Sequence, residues 1–326
     1  PLRIDPTSYI VYEDSRMKDS TKLSRLGSEG RSTATSVLSY AIVNSLIDQN
    51  AAYEDQKLLS FTDNRQDASL QAGHFNDFYT TVRFRSALYN ALEGKNLEVH
   101  EIDEELLGAL NLMEIDYARD PSEDPGFPDR RNTEAIKKLL LYYALSDLKR
   151  GWRYTMPNLE QVGLLEIEYF DLERLASYND RFAQIEMLNK MEEKERYSLL
   201  KTILDYFRTN SALDHRFYDE REKNENLIKN RLREDSPWAL GTDEEIERPK
   251  VMTIQSIPKR IRRISYASMG SRSNLGKYLQ RIRNNNGFDP LKKEEYEQWL
   301  KSILEILRKA NFIVEAKDKR LPENDL

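Results

Sequence analysis

A chain of 326 residues, with 39% apolar and 33% charged side chains, is long enough for two or three domains that each bury a core. Cys is absent, which excludes disulfides and thiolate zinc sites, and His74, His100 and His215 are scattered with no second His at metal-ligand spacing. The net charge of -6 excludes a uniformly basic nucleic-acid coat, and no apolar run reaches the roughly 18 residues needed to span a membrane.

In chain order, Ser8–Tyr12 reads as a short strand, followed by a polar loop. Ser32 or Thr33 can cap a helix in which Val37, Leu38, Ala41, Ile42 and Leu46 recur at helical spacing. A strand at 57–61 then empties into a polar turn and a helix from Arg65 to Leu92, its apolar positions being Leu70, Phe75, Phe78, Val82 and Leu88, with Gly73 a point of weakness. The stretch 93–132 is acidic and ends in Asp120–Pro128, where three prolines signal an exposed loop or linker. Helix resumes at 133–149 on a stripe of Ile136, Leu139, Leu140, Tyr143 and Leu148, and Gly163–Tyr169 reads as a strand. Residues 171–232 read as two or three amphipathic helices, for instance through Leu199, Leu200, Ile203, Leu204 and Phe207. Beyond an acidic loop at 234–247 come a helix at 274–283, a turn at Asn284–Gly287, and a helix at 291–309 carrying Tyr296, Trp299, Leu300, Ile303, Leu304 and Leu307. Asn311–Lys317 is strand-like, so this last part has the order of a winged-helix module.

Charge is unevenly spread. Residues 98–129 and 218–247 are rich in acid, whereas Lys250–Phe288 contains no Asp or Glu. Lys259, Arg260, Arg262, Arg263, Arg272, Lys277, Arg281 and Arg283 fall in that basic island. Such side chains neutralise phosphates and release counterions, with Ser271, Ser273 and Asn274 as further donors. The competing reading is a solvated basic face, or one docked on the acidic helices of the same chain. The stripe Tyr296, Trp299, Ile303 and Leu307 reads as core rather than as a base-stacking platform.

The run Lys57–Ala68 joins a strand, a polar turn and a helix start, a combination that presents backbone N–H groups at a sheet edge. Asp63 can accept those N–H groups while Arg65 and Gln66 project from the first turn; the plainer alternative is an Asp63 cap and an Arg65–Asp67 pair. This run, continued by Gln71–Phe78, resembles the fourth motif of superfamily 2 DEAD/DEAH-box helicases. Leu23–Thr35 and Gly151–Leu165 resemble further blocks of the large bacterial members of that family, often found beside phage-defence genes. The resemblance implies that Thr62, Asp63, Asn64 and Arg65 line the backbone-tracking edge of a second RecA-like motor domain, and that Arg31 and Ser32 lie near the hinge between motor domains. It implies a full-length ATP-dependent helicase or translocase that uses ATP and Mg, acts in the cytoplasm on nucleic acid (DNA ahead of RNA), and pairs this piece with its remaining motor domains, with no membrane.

The chain departs from that pattern where a motor needs it most. Gly270–Tyr278 has one residue too many between its glycines for a phosphate loop, and Tyr278 stands where a Mg-binding hydroxyl belongs. Asp103–Glu105 and Asp243–Glu245 follow no buried strand, and no arginine-finger motif appears. Pro1 opens the chain in place of Met, so it reads as a fragment without catalytic residues, metal or cofactor of its own, inactive alone. The expected fold is mainly α with a small β component: a partial RecA-like element and connector at 1–95, a helical insertion at 96–248, and a basic winged-helix-like module at 249–326. The alternative is a non-enzymatic winged-helix DNA-binding or protein-docking adaptor.

Overall fold

The computed structural model describes residues 29–59, 65–124, 126–149, 157–254 and 265–316, with the backbone alone at 29–33, 53, 65–72 and 74. Among these the chain is mainly helical, with one parallel two-stranded sheet. The elements are α1 (Glu29–Asp48), α2 (Arg65–Leu92), α3 (Ile102–Leu110), α4 (Glu114–Tyr117), α5 (Arg130–Asp147), α6 (Leu172–Ser177), α7 (Glu186–Lys190), α8 (Glu193–Thr209), α9 (Arg216–Asp219), α10 (Arg221–Arg231), β1 (Val251–Thr253), β2 (Tyr266–Ser268), α11 (Asn274–Asn285) and α12 (Lys293–Lys309). The described residues fall into two compact units, drawn from 1–141, 161–164 and 226–244, and from 142–160, 165–225 and 245–326.

In the first unit α1 packs on α2, with Tyr40 and Tyr79 ring centroids 6.3 Å apart. The stripe expected on α1 is turned outward: Val37, Leu38 and Ile42 are exposed and Ser36 is fully buried. Helix α2 passes Gly73 without a break. It buries Thr80, Thr81, Phe84, Ala87, Leu88 and Ala91, a stripe of period 3.6 that leaves Val82 outside. The acidic stretch after it is not bare linker. In α3, Asp103, Glu104 and Glu105 occupy the first turn, where the helix dipole favours anions, and Leu106 and Leu110 are buried as the helix packs on α2. Arg83 donates to the Leu110 carbonyl at 3.3 Å and lies over the rings of Tyr79 and buried Trp238.

The Pro-rich loop is exposed, as expected, but it is tied down. The Glu114 carboxylate accepts from Ser122 N (3.1 Å), Asp129 N (3.0 Å) and Asn132 Nδ2 (2.6 Å), and Asn132 Nδ2 also donates to the Asp120 carbonyl at 2.9 Å. On the other side of α4, Arg119 N donates to Arg231 O (2.8 Å) and Arg233 N to Tyr117 O (2.9 Å) around an antiparallel bridge between Ala118 and Leu232. The strand expected at 57–61 does not form over 57–59, where Leu58 and Leu59 are exposed; 60–61 and the Ser8–Tyr12 strand lie outside the described residues. A strand is not self-sufficient, and no described segment pairs with this one.

The second unit has one continuous core. Leu172, Phe182, Leu188, Leu200 and Ile203 pack in the same cluster as Leu279, Tyr296, Leu300 and Ile303. Two arginines organise it. Arg196, 1% exposed, donates to the carbonyls of Leu188 (2.9 Å), Met191 (2.9 Å) and Ala176 and stacks over Phe182. Arg208, whose side chain is 5% exposed, forks onto Glu160 (2.8 and 2.6 Å), and also meets Asp205 (2.9 Å), the Leu148 carbonyl (3.1 Å) and the Tyr169 hydroxyl (3.3 Å). Bidentate, charge-assisted bonds of this kind fix both partners. The strands expected at Gly163–Tyr169 and Asn311–Lys317 are irregular where described. Asn311 adopts φ 61° and Phe312 N returns to the Leu307 carbonyl at 2.9 Å, a left-handed helix stop that consumes the residues expected to start the strand.

Candidate nucleic-acid interface

The basic island is built on the small sheet and the helix that follows it. β1 and β2 run parallel in the register Val251–Tyr266, Met252–Ala267, Thr253–Ser268. The chain then turns through Met269–Ser273 into α11. That turn is held from several sides: Met269 N donates to Thr253 O (2.7 Å), Tyr206 Oη to Ser268 O (2.9 Å), and buried Tyr296 Oη to Met269 O (3.0 Å). Ser273 caps α11 by accepting from Gly276 N at 2.9 Å, and its own N–H donates to Gly270 O at 2.8 Å. Gly276 is obligatory here, because a Cβ would sit 2.3 Å from the Gly270 carbonyl oxygen.

The same contacts consume several of the donors that a phosphate loop would need, both glycine N–H groups included. In a nucleotide-binding loop the glycine-rich backbone N–H groups stay open to the ligand. Here those of Gly270, Ser273, Gly276 and Lys277 are spent on Ser268 Oγ, Gly270 O, Ser273 Oγ and Ser273 O. The residues present do not fit a nucleotide phosphate, and no step involving ATP can be derived from them.

What the fold does present is a face of α11. Arg272, just before the helix, and Lys277 and Arg281 on it are exposed, and none makes an ion pair with a described residue. Asn274, Asn284 and Asn285 are exposed beside them, whereas Leu275, Gly276 and Leu279 are buried on the opposite side. On α12, by contrast, Lys293, Arg308 and Lys309 each meet a glutamate. Lys250, before β1, is exposed and likewise has no acidic partner among the described residues.

Arg283 faces the other way. It is 9% exposed, lies over the rings of Phe288 (5.4 Å) and Trp299 (5.3 Å), and donates to the Asp289 carbonyl at 3.3 Å. Burial pulls its guanidinium below the ordinary arginine value, with Glu186 and Asp289 opposing the shift. It is a packing residue. Tyr296, Ile303 and Leu307 are fully buried, as a core stripe should be.

The remaining expected site residues fall elsewhere. Thr62, Asp63, Asn64, Lys259, Arg260, Arg262 and Arg263 lie outside the described residues. Arg65 opens α2, and Arg31 and Ser32 lie near the start of α1, their backbone alone being described. Asn284 and Asn285 were legible only as a turn; they join the face because α11 runs to Asn285, two residues past its expected end.

Other features of the second unit offer less. A cleft of about 610 Å³ near the end of α12 is lined by Asp171, Arg174, Tyr178, Glu305, Lys309 and Phe312 among others. Its charges are mixed and neutralise one another, Arg174 on Asp171 at 2.7 Å and Lys309 on Glu305 at 3.5 Å. No group of His, Cys, Asp and Glu that could hold a metal occurs among the described residues, and no described helix is long and apolar enough to cross a membrane. No protein-family model, curated protein or solved structure matches the chain.

Proposed function

We propose that this chain is the nucleic-acid-gripping segment of an ATP-dependent helicase or translocase of the DEAD/DEAH-box kind, and that the second unit holds nucleic acid through α11. One observation carries the reading: Arg272, Lys277 and Arg281 stand exposed and unpaired on a surface whose stretch of sequence, Lys250–Phe288, has no carboxylate. Cations left unneutralised on a protein of net charge -6 are suited to a polyanion, whose condensed counterions they release. The motor assignment draws on the motif resemblance at 57–78, and nucleotide chemistry is assigned to motor domains outside this chain.

The test is fluorescence anisotropy with labelled DNA and RNA over a salt series, beside an Arg272→Glu/Lys277→Glu/Arg281→Glu variant. The parent protein should bind with an affinity that falls steeply with salt. The variant should lose at least tenfold, with the log–log salt slope reduced by about three phosphate contacts. Equal binding by parent and variant would remove α11 from the interface. A phosphate loop encoded upstream and an arginine-finger motif downstream are required by the motor assignment; their absence from the gene would leave a DNA-binding adaptor.

A further inference from the structure

We infer that α11 enters the major groove of duplex DNA and reads base edges there. This builds on the nucleic-acid reading above and commits it to one form of nucleic acid.

The exposed side chains of α11 lie in a narrow arc. At 3.6 residues per turn, Asn274, Lys277, Arg281, Asn284 and Asn285 fall within about 100° of one another, and Leu275, Leu279, Ile282 and Arg283 fall on the opposite side. The three asparagine side chains make no hydrogen bond to another described residue. That is not general in this helix: Gln280 holds Leu291 through both its amide atoms (2.8 and 3.0 Å), and Asn286 Nδ2 donates to the Ile282 carbonyl at 3.0 Å. So the inward and terminal amides are committed to the fold, while the outward ones keep all their donors and acceptors.

Uncommitted amides on either side of two exposed cations along one helix face suit base edges better than phosphates alone. Asn pairs in bidentate fashion with adenine N6 and N7, and Arg or Lys with guanine O6 and N7, both in the major groove. Twelve residues make a rod about 18 Å long, and the B-form major groove, about 12 Å wide, admits a helix. The A-form RNA major groove is too deep and narrow for this approach. Single strands are held by stacking on exposed aromatic rings, and this arc has none. Tyr278 sits at its edge, half-buried, with the Arg281 guanidinium 5.9 Å from its ring, and Trp299 belongs to the core.

The experiment begins with selection from a randomised DNA duplex pool on the intact 326-residue protein. The enriched duplex is then compared by anisotropy with an RNA duplex of the same sequence, with its single strands, and with the same DNA carrying 7-deazapurines, which lack the N7 acceptor. We expect RNA and single strands to bind at least tenfold more weakly than the DNA duplex, and the 7-deaza duplex about fivefold more weakly at an unchanged salt slope. An Asn274→Ala/Asn284→Ala/Asn285→Ala variant should lose the part of the 7-deaza difference that comes from adenine, tested with 7-deazaadenine alone, and keep the salt slope. Failure to enrich any sequence, or equal affinity for all four nucleic acids, overturns the groove inference while leaving a backbone grip in place. Tighter binding to single strands overturns it as well. No binding to any of them sinks the nucleic-acid reading itself.

Discussion

Replacing Arg208 with Met tests how much of the second unit hangs on one cation. The substitution keeps length and apolar volume but removes the partner shared by Glu160 and Asp205, whose side chains keep 28% and 30% of their exposure. Stripping one member from a buried ion pair costs about 3–5 kcal/mol, chiefly because the other charge is left uncompensated. Both carboxylates retain some access to water, so the cost should fall at the low end, about 3 kcal/mol. For a cooperative unit of this size that is a drop in melting temperature of about 6–12 °C, read by far-UV circular dichroism. A double variant sharpens the test. Arg208→Met/Glu160→Met removes charge on both sides and should regain at least half of the loss, since apolar replacement of a whole pair is often near neutral. If Arg208→Met melts within 2 °C of the parent protein, or if the double variant is worse than the single one, the network does not hold this unit together.

Burial pushes the hydroxyls of Tyr169, Tyr218 and Tyr296 above the ordinary tyrosine value; Asp205 adds to the shift at Tyr169, and Tyr142 and Glu247 at Tyr218. Unfolded tyrosines shed their protons near pH 10 while these keep theirs, so the unfolded state binds fewer protons. Their contribution is full below about pH 10 and is lost as pH rises, by about 1.4 kcal/mol per pH unit for each tyrosine. Urea unfolding of Tyr218→Phe between pH 9 and 11 should show a shallower alkaline decline than the parent. Gly276→Ala forces a methyl to within 2.3 Å of the Gly270 carbonyl, so the turn before α11 must open, at about 1–3 kcal/mol by chemical denaturation and with weakened nucleic-acid binding. Arg196→Leu leaves the carbonyls of Ala176, Leu188 and Met191 without their donor and should cost at least about 3 kcal/mol, against nearly nothing for Lys194→Leu on the exposed side of α8. Glu114→Ala releases Ser122 and Asp129 and leaves Asn132 only its bond to the Asp120 carbonyl, and limited proteolysis should then cut within 120–128 at least tenfold faster than in the parent.

The helices with long, regular apolar stripes were legible from sequence. Helix α2 has the bounds its periodicity predicts, and α12 begins two residues late on the expected stripe of Tyr296, Leu300, Ile303 and Leu307. Strands were not legible, for a physical reason: helix formation is local, whereas a strand exists only if a neighbour accepts its ladder. Apolar runs at 57–59 and 163–169 looked right and found no partner among the described residues, while the three-residue β1 and β2 were missed because their pairing joins segments a dozen residues apart. The basic island was visible as a lack of acid, but the phase of α11 decides which cations face out. Leu275, Leu279 and Ile282 mark the inward arc, and Arg283 lies one turn on from Leu279, about 40° beyond the edge of that arc. That phase is written in the spacing of the apolar residues, and it separates Arg283 from Lys277 and Arg281 on periodicity alone.

The shared core of the second unit has a consequence for how such a chain can be cut and recombined. Leu279, Tyr296, Leu300 and Ile303 pack in one cluster with Leu172, Leu200 and Ile203, which lie 76 to 131 residues earlier. A gene fusion or truncation that severs the chain near residue 249 therefore parts the two halves of a single apolar interior. Each product then exposes apolar surface that the other covered, so each should be less soluble than the intact chain. Heritable exchange of the α11 surface between related proteins is then confined to point changes on its outward arc, or to replacement of the whole second unit, residues 142–160, 165–225 and 245–326.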